Sequence, residues 1–518
     1  MQCPVHDAKA FPMHTFPIDR TYLLLPVRTG DPKLRVALDV AGQTVREFDI
    51  EFAAEAAQFE AVLDVSAFAG QEGTLRVVGG DDPGLAVVRL SDELPDAGGV
   101  YREAQRPQFH FTSQRGWLND PNGLVYADGL WHLYYQHNPY GWAWGNMHWG
   151  HAVSEDLVHW RELGVSLYPK EYGDWAFSGS GFVAPDGRLG IAYTSTGRGE
   201  CLAFSADGGA TFEEILGNPV VAHRGRDPKV FWHAESEHWV MAVYDEADDE
   251  RWIAIYTSTD LREWIYASRV GGFYECPELF PLAVDGDPEQ VKWVLHGADG
   301  EYMLGDFDGR DFHPDGDKQR LWSGNFYASQ TYTDAPDGRR VQIGWGRGVE
   351  FPGMPFNQQM GVACDLSLIT TDNGVVMRAE PVPELASLRH SSRVLADQAG
   401  EGTLAADIGE LVDLEATLSI PAAERGGLTV RGVPVVWDRA AGVLEVADIK
   451  APVAVAGDVL SLRILVDRGS VEVFAADGLV AVAKGIRPEV NDRTLRVTGA
   501  QTKVSAVTAH QLGSIWGR

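Results

Sequence analysis

The sequence predicts an all-β protein of three domains: an N-terminal β-sandwich (1–100), a five-bladed β-propeller (106–375) and a C-terminal β-sandwich (376–518). Two observations predict this class. A strand of the type Trp-x-x-x-Tyr recurs five times at intervals of roughly 50 to 60 residues, the length of one four-stranded blade. Helical periodicity is nearly absent, and short apolar runs end at Gly, Asp and Pro throughout the chain.

The N-terminal segment contains β-rich runs that begin at Tyr22, Leu34, Phe59 and Thr74. Gly, Asp and Pro separate these runs, which favours a small sandwich. Its role has two interpretations from sequence: an accessory module that binds sugar or shapes the substrate site, or a packing or oligomerisation domain. A polar linker, residues 92–105, follows it.

The central repeat also predicts where a site would form. The five recurring strands begin at Trp131, Leu189, Trp239, Trp293 and Val341. An unusual segment opens each repeat, at 119–120, 177–180, 226–228, 275–277 and 326–328. Because the first strand of each blade lines the axis of a propeller, these five segments are expected to converge at one mouth. From residue 376 onward, Val-, Ala- and Leu-rich strands with Gly and Asp turns favour a second sandwich.

Composition and charge limit the classes of partner. The 518 residues carry a formal net charge of −31, which argues against nucleic acid or an anionic membrane surface. The four cysteines, Cys3, Cys201, Cys276 and Cys364, show no metal-binding spacing and no disulfide framework, and are predicted to be free thiols. The sequence does not decide whether the chain forms a homo-oligomer.

The first 30 residues bear on location. They lack a basic start followed by an apolar core, and the run Leu23-Leu24-Leu25 is too short for a signal or a membrane span. The chain as given is therefore expected to be cytoplasmic, or secreted if a signal has been removed.

Three carboxylates occupy similar positions in the repeat. Asp120 lies in 116–124, a stretch dense in turn formers, and is expected at a bent strand end. Asp227 and Glu275 each stand at or next to a proline-containing turn segment at the start of a later repeat. A solvated turn residue is the ordinary interpretation of any one of them. Their convergence predicts a glycoside-cleaving site, which needs acids on both sides of the scissile bond.

The segments around these carboxylates carry a family resemblance. Trp117-Leu-Asn-Asp-Pro-Asn-Gly, Phe177-Ser-Gly-Ser, Arg226-Asp-Pro-Lys-Val-Phe-Trp and Glu275-Cys-Pro-Glu-Leu-Phe resemble the signature segments of glycoside hydrolase family 32. This family comprises invertases, levanases, inulinases and related fructosyltransferases. The resemblance runs from about residue 106 to the end, and stretch 134–151 is most similar to levanase-type members.

The resemblance implies a retaining double displacement on a β-fructofuranoside. Asp120 would be the nucleophile, Glu275 the general acid and then the general base, and Asp227 the group that steadies the fructosyl unit. The expected substrates are fructans such as levan and inulin, fructo-oligosaccharides and sucrose. Linkage preference (β-2,6 or β-2,1), and exo or endo action, stay open.

Further residues are implied to bind substrate: Asn119, Gln136, Trp144, Phe177, Ser178, Arg226 and Tyr327. Arg226 has an equally good interpretation as a structural ion pair. No cofactor is expected. His132, His137, His148, His151 and His159 cluster in sequence, but strand alternation would scatter them to both faces, so no metal site is expected.

Departures from the family pattern leave room for different functions. Tyr274 stands where many members have Trp, Asn325 where many have Asp, and segment 351–360 is unusual and expected at the rim. That segment motivates a second hypothesis, a levan or inulin fructotransferase on the same scaffold. The sequence also allows a non-catalytic fructan-binding protein and an arabinan-cleaving, inverting propeller enzyme.

Overall fold

The structure, a computed structural model, describes residues 12–517 apart from residues 82, 248–249, 423, 456 and 490. Strands dominate it, and its helices are short 3₁₀ turns at Ser66–Phe68, Leu85–Val87, Pro336–Gly338 and Pro383–Leu388. The all-β prediction is confirmed. In the part of the chain described, no helix has the length and apolar character needed to cross a membrane. Cys3 lies outside the described residues.

The N-terminal region folds into two sheets, with strand orders β1-β6-β3-β4 and β5-β2-β7. Their strands are β1 (Met13–Pro17), β2 (Tyr22–Val27), β3 (Leu34–Val40), β4 (Gln43–Ile50), β5 (Phe59–Asp64), β6 (Glu72–Val77) and β7 (Arg89–Ser91). Apolar side chains of both sheets form one core, which also takes in Tyr140 and, at its edge, Trp142 from the next region. This N-terminal sandwich is therefore packed onto the rest of the molecule.

Five successive sheets follow, four of them simple antiparallel meanders that place sequential strands side by side. The first contains β8 (Gly116–Ala127), β9 (Leu130–Asn138), β10 (His148–Ser154) and β11 (Arg161–Leu167). The second contains β12 (Ala176–Val183), β13 (Leu189–Ser195), β14 (Gly199–Phe204) and β15 (Glu213–Glu214). The third contains β16 (Gly225–His233), β17 (His238–Asp245), β18 (Trp252–Ser258) and β19 (Ile265–Gly271).

The fourth and fifth sheets complete the repeat. The fourth contains β20 (Glu278–Val284), β21 (Asp287–His296), β22 (Glu301–Phe307), β23 (Phe312–Pro314) and β24 (Gln319–Arg320). After β25 (Trp322–Gly324), the fifth contains β26 (Tyr327–Thr331), β27 (Val341–Trp345), β29 (Cys364–Thr371) and β30 (Gly374–Pro381), while β28 (Phe356–Asn357) pairs with β8. A parallel pair, Val284 with Leu368, joins these two sheets.

The first strands of the sheets face one another around a common axis. Strand β12 contacts both β8 and β16, and β26 contacts β8. A bridge between Val125 and Thr333 links the last sheet to the first, which closes the ring. This is the arrangement that the five-fold repeat predicts. The domain boundaries at 100, 106 and 375 stay predictions, and β30 continues the fifth sheet to Pro381.

The C-terminal strands form two further sheets, ordered β25-β40-β39-β38-β33-β42-β31 and β32-β41-β34-β35-β36-β37. They are β31 (Arg389–Ala399), β32 (Gly402–Ala405), β33 (Val412–Ser419), β34 (Arg425–Val430), β35 (Val433–Asp438), β36 (Val443–Val446), β37 (Ile449–Pro452), β38 (Val459–Val466), β39 (Ser470–Ala475), β40 (Val480–Gly485), β41 (Leu495–Thr498) and β42 (Lys503–Leu512). Apolar side chains of both sheets share one core.

A buried ionic contact joins this C-terminal sandwich to the ring. His110 Nδ1 lies 2.9 Å from Asp467 Oδ2, and Asp467 also accepts hydrogen bonds from the backbone N–H groups of Gln108 and Phe109. Burial opposes the charged imidazole, but the two acids that face it, Asp467 and Glu472, raise the pKa of His110 to about 9. His110 is therefore a cation at neutral pH and anchors the two domains to each other.

Candidate active site

One pocket of about 270 Å³ opens at the mouth of the ring. It is lined by all ten residues that the sequence singles out, Asn119, Asp120, Gln136, Trp144, Phe177, Ser178, Arg226, Asp227, Glu275 and Tyr327. Tyr274, Trp345 and Arg347 complete the lining. Residues more than 200 positions apart in sequence thus meet in one cavity.

Irregular strands present these side chains. In four of the five inner strands, the pairing with the neighbouring strand shifts near the mouth: between Leu118 and Pro121, between Ala176 and Gly179, between Arg226 and Lys229, and between Tyr327 and Gln330. A β-bulge leaves residues unpaired and re-aims their side chains. The residues inside these shifts include Asn119, Asp120, Phe177, Ser178 and Asp227. The bulges therefore turn the site residues toward the mouth while the strands continue past them.

This geometry corrects one expectation. The turn-forming pairs Asp-Pro and Asn-Gly predict Asp120 at a bent strand end. It lies instead inside the 12-residue strand β8, which absorbs Pro121 and Gly123 in two successive register shifts. Gly123 has φ 56°, which glycine adopts at little cost.

Both oxygens of Asp120 accept hydrogen bonds. Ser178 Oγ donates to Oδ2 at 2.6 Å, and Asn119 Nδ2 donates to Oδ1 at 3.0 Å. Trp117 Nε1 in turn donates to Asn119 Oδ1 at 2.9 Å, which fixes the orientation of that amide. Burial raises the pKa of Asp120, and the two hydrogen bonds oppose that rise. The carboxylate is thus held in one orientation.

Asp227 lies deeper and is only 5% exposed. Its carboxylate accepts a hydrogen bond from the backbone N–H of Cys276 at 3.1 Å. Burial first, and then the negative charges of Glu275 and Asp120, raise the pKa of Asp227 to about 8. At neutral pH the protonated form of Asp227 is therefore favoured, because ionisation would place its charge beside two other carboxylates.

Cys276 connects the carboxylates. Its Sγ lies 3.5 Å from Asp227 Oδ2 and 3.8 Å from Asp120 Oδ2. Burial and the neighbouring carboxylates raise the pKa of this thiol well above its ordinary value, so the S–H stays protonated and acts as a weak donor. Both Glu275 and Cys276 have positive φ, 56° and 42°, a conformation that costs energy in non-glycine residues.

Glu275 is held by a cation and a phenol. Arg226 Nη2 lies 2.6 Å from Oε1, and Tyr327 donates its O–H to Oε2 at 2.8 Å. Arg226 Nη2 also donates to Tyr274 Oη at 2.8 Å. The geometry thus supports the interpretation that Arg226 orients Glu275, since its guanidinium contacts this carboxylate directly and lies 3.9 Å from Asp227.

Aromatic side chains form one wall of the pocket. Trp144, 45% exposed, packs edge-on against Trp175 at 4.9 Å and Phe177 at 6.1 Å between ring centroids. Trp345, which also lines the pocket, packs edge-on against Tyr327 with ring centroids 6.3 Å apart. Such flat apolar faces suit the C–H faces of a sugar ring.

The loop that carries Trp144 is fastened to the N-terminal sandwich. Asn146 pairs with the backbone of Asp49 in both directions, accepting from its N–H at 2.9 Å and donating to its C=O at 2.7 Å. Tyr140 stacks on Phe48 with ring centroids 3.7 Å apart and is 1% exposed. The N-terminal sandwich therefore supports one wall of the pocket from behind.

Segment 351–360 does not line the pocket, contrary to expectation. Phe351, Phe356 and Met360 are fully buried, and the Arg106 guanidinium stacks on Phe356 at 3.4 Å. Its aromatic side chains pack between domains, and only Pro352 and Gly353 are exposed within it. It reaches the site only indirectly, because Gln358 Oε1 accepts a hydrogen bond from Trp345 Nε1.

A second polar layer closes the ring beneath the pocket. Lys229, two residues beyond Asp227, forms an ion pair with Glu278 at 3.0 Å and donates to Thr331 C=O at 2.9 Å. Thr331 Oγ1 donates to the same Glu278 carboxylate at 2.6 Å. Both charged side chains are at most 2% exposed. These contacts tie three inner strands together across the axis.

The clustered histidines face different partners. His132 Nδ1 lies 3.0 Å from His151 Nε2, while His137 and His148 each bond a backbone C=O through Nδ1. His159 pairs with Asp156. Across the described residues, no group of three or more His, Cys, Asp or Glu side chains has a metal-binding arrangement.

Three lining residues, Tyr274, Trp345 and Arg347, are not predicted as site residues by the sequence. The sequence positions of Tyr274 and Trp345 could have indicated a place in the site, because Tyr274 directly precedes Glu275 and Trp345 ends a repeat strand. The sequence position of Arg347 gives no such indication, since it follows that strand in an irregular turn.

Comparison with known proteins gives a consistent result. The chain matches the family models described as "Glycosyl hydrolases family 32 N-terminal domain", over residues 110–379, and "Glycosyl hydrolases family 32 C terminal", over residues 384–511. Residues before 110 lie outside both matches.

Two curated relatives and one crystal structure illustrate the similarity. The chain is 35% identical to a levanase of Bacillus subtilis (strain 168) over 506 residues, covering 84% of this chain and 74% of the levanase. It is 30% identical over 519 residues to an extracellular exo-inulinase of Aspergillus niger, covering 80% of this chain and 96% of the relative. The crystal structure of exo-inulinase from Aspergillus awamori superposes with a TM-score of 0.72 at 27% identity, covering 80% of this chain and all of that one.

Proposed function

The chain belongs to glycosyl hydrolase family 32, and we propose that it hydrolyses terminal β-D-fructofuranosyl units of fructans, fructo-oligosaccharides and sucrose with retention of configuration. One observation carries the proposal. Carboxylates from three different repeats of the ring, Asp120, Asp227 and Glu275, meet in one pocket beside aromatic side chains.

In the first step, an oxygen of Asp120 attacks C2 of the terminal fructosyl unit while the bond from C2 to the leaving oxygen breaks. Glu275 delivers a proton to that oxygen, and the leaving sugar departs. The hydrogen bonds from Ser178 and Asn119 hold Asp120 in place for attack.

In the second step, Glu275 takes a proton from water, the water oxygen attacks C2, and the bond to Asp120 breaks. Arg226 and Tyr327 keep Glu275 in one position through both proton transfers. Asp227 accepts hydrogen bonds from the hydroxyls of the fructosyl unit as C2 gains positive character, a role that the family resemblance implies. Asn119 and Gln136 supply further polar contacts, and Trp144 and Phe177 supply the apolar wall.

The fructotransferase hypothesis is not favoured. Two of the relatives are named a levanase and an exo-inulinase, and the segment that motivates transfer, 351–360, does not line the pocket. The exo-inulinase relative is described as extracellular, whereas the cytoplasmic location expected from the N-terminal sequence stays a prediction.

The test compares Glu275→Ala on two substrates. With sucrose, which needs a protonated leaving group, we expect kcat to fall by about 10²- to 10⁴-fold. With β-fructofuranosyl fluoride, whose leaving group needs no proton, the first step survives and the second slows. Stopped-flow measurement should then show a burst of one fluoride per site.

Glu289→Ala, an exposed change in the fourth sheet, is the matched control and should behave as wild type. Equal losses on both substrates with no burst would remove Glu275 from its role. Methanolysis products analysed by NMR should contain methyl β-fructofuranoside, and the α anomer would overturn retention.

A further inference from the structure

The position of Glu275 defines where the leaving group must lie. A general acid protonates the leaving oxygen, so the sugar that departs occupies the side of the pocket on which Glu275 stands. Tyr274 and Tyr327 flank Glu275 there, one sharing Arg226 with it and the other donating to Oε2. Groups around these two tyrosines are therefore in position to contact the leaving sugar.

Each of the two tyrosine rings has an arginine stacked on its face. The Cζ atom of Arg251 lies 4.3 Å from the centroid of Tyr274, and that of Arg347 lies 4.4 Å from the centroid of Tyr327. Both arginines are exposed, and within the described part of the chain neither guanidinium has a hydrogen-bond or ion-pair partner. Stacking occupies one face of a guanidinium and leaves its in-plane N–H groups free to donate.

A second cavity of about 430 Å³ adjoins the active-site pocket at these tyrosines. Tyr274 and Tyr327 line both cavities, whereas Arg347 lines the first and Arg251 the second. A chain that leaves the catalytic centre past Glu275 therefore meets Arg347 first and Arg251 next. Arg347 is thus placed to contact the first unit of the leaving group, and Arg251 is placed to contact the units after it.

The second cavity suits a neutral, hydroxyl-rich ligand. Its other cation, Lys318, is already paired with Glu301 at 2.5 Å and donates to Gly272 C=O. Asp299, also in the lining, is half-exposed and offers carboxylate oxygens as acceptors. Donors and acceptors are thus both present without a surplus of one charge, which matches the hydroxyls of sugar units.

We propose that this second cavity, with Arg251 as its free donor, is a leaving-group subsite that binds the second and later sugar units beyond the cleaved bond of fructan oligosaccharides. Arg347 contacts the first leaving unit. The inference rests on the proposed function and adds to it a preference for chains longer than a disaccharide.

The experiment measures kcat/KM of Arg251→Ala on sucrose, which has one leaving unit, and on a fructan trisaccharide and tetrasaccharide. We expect about a tenfold loss on the longer substrates, the size of one lost hydrogen bond from a charged donor, and less than about a twofold change on sucrose. Arg347→Ala should lower kcat/KM on all three. Arg251→Lys, which retains the cation without the planar fork, should restore part of the loss.

The matched control is Arg188→Ala, because Arg188 also stacks on an aromatic ring, Phe204, but lies outside both cavities. It should leave all three substrates unchanged. A loss in Arg251→Ala that is equal on sucrose and on oligosaccharides, or no loss at all, overturns the subsite while wild-type hydrolysis still supports the proposed function. A wild-type enzyme that cleaves none of the three substrates overturns the proposed function itself.

Discussion

The floor and the rim of the pocket are built in different ways. The floor consists of Asp120, Asp227 and Ser178 on bulged inner strands. Ser178 donates a hydrogen bond to Asp120, and the backbone N–H of Cys276 donates one to Asp227. The rim consists of Trp144 and Arg347, which stand on loops and are exposed. Trp144 owes its position to a separate domain, through Asn146 and Asp49.

This difference indicates that the floor residues carry out the reaction and that the rim residues determine which substrates bind. Floor residues act on bonds that every β-fructofuranoside shares, and strands hold them rigidly. Rim residues meet the parts of the substrate that differ, and they depend on contacts from distant segments. Changes in the floor should therefore alter kcat, and changes in the rim should alter KM.

The largest effect is expected for Asp120→Asn. An amide oxygen is too weak a nucleophile to form the covalent intermediate, so kcat should fall by at least about 10⁴-fold. Circular dichroism and melting temperature should show an intact fold. Asp128→Asn, the same change at an exposed turn between β8 and β9, should retain full activity. Near-wild-type turnover by Asp120→Asn would contradict the assignment of Asp120 as the nucleophile.

Asp227→Asn should separate activity from stability. Loss of a transition-state contact should lower kcat by about 10²- to 10³-fold. The pKa of Asp227 is raised from 3.8 to about 8, so the folded state binds this proton more tightly than the unfolded chain does. Stability of the wild type therefore falls as pH rises between these values.

The Asn side chain does not ionise, so the Asp227→Asn variant does not lose stability as the pH rises. The melting temperature of Asp227→Asn relative to wild type should increase from pH 4 to pH 8 and then level off. A difference that is constant with pH would show that Asp227 ionises normally in the folded protein.

A smaller effect is expected at the rim for Asn146→Gly. The substitution removes both hydrogen bonds to Asp49, and glycine accepts the φ of 43° at this position. The Trp144 wall should lose its fixed orientation, which raises KM for sucrose by about three- to tenfold with kcat little changed. Tyr172→Phe, which removes another contact to Asp49 outside this loop, is the control. A fall in kcat at constant KM would contradict the division between floor and rim.

The sequence alone predicts the floor residues, because each of them lies in a short motif that is continuous in the chain. The repeat predicts the ring of sheets, and each motif carries its own carboxylate. The position of Asp120 within a continuous strand is not predictable, since a bulge is defined by the partner strand rather than by the turn-forming residues themselves.

The rim could not be predicted for a similar reason. Asn146 meets Asp49 across 97 residues of chain, and neither lies in a recognisable motif. Segment 351–360 is unusual in sequence and is therefore expected near the substrate. Its side chains Phe351, Phe356 and Met360 are instead buried between domains. Arg251 and Arg347 become notable only when the stacked tyrosines are seen beside Glu275.

The buried layer of Lys229, Glu278 and Thr331 has a consequence for how a polymer would be degraded. Its charged side chains are at most 2% exposed and lie further along the inner strands than the carboxylates, so a released monosaccharide has to leave through the mouth by which the chain end entered. The shortened chain must withdraw before each departure. Degradation should therefore be distributive rather than processive, with all chains in a sample shortening together and no fully digested chains appearing beside intact ones.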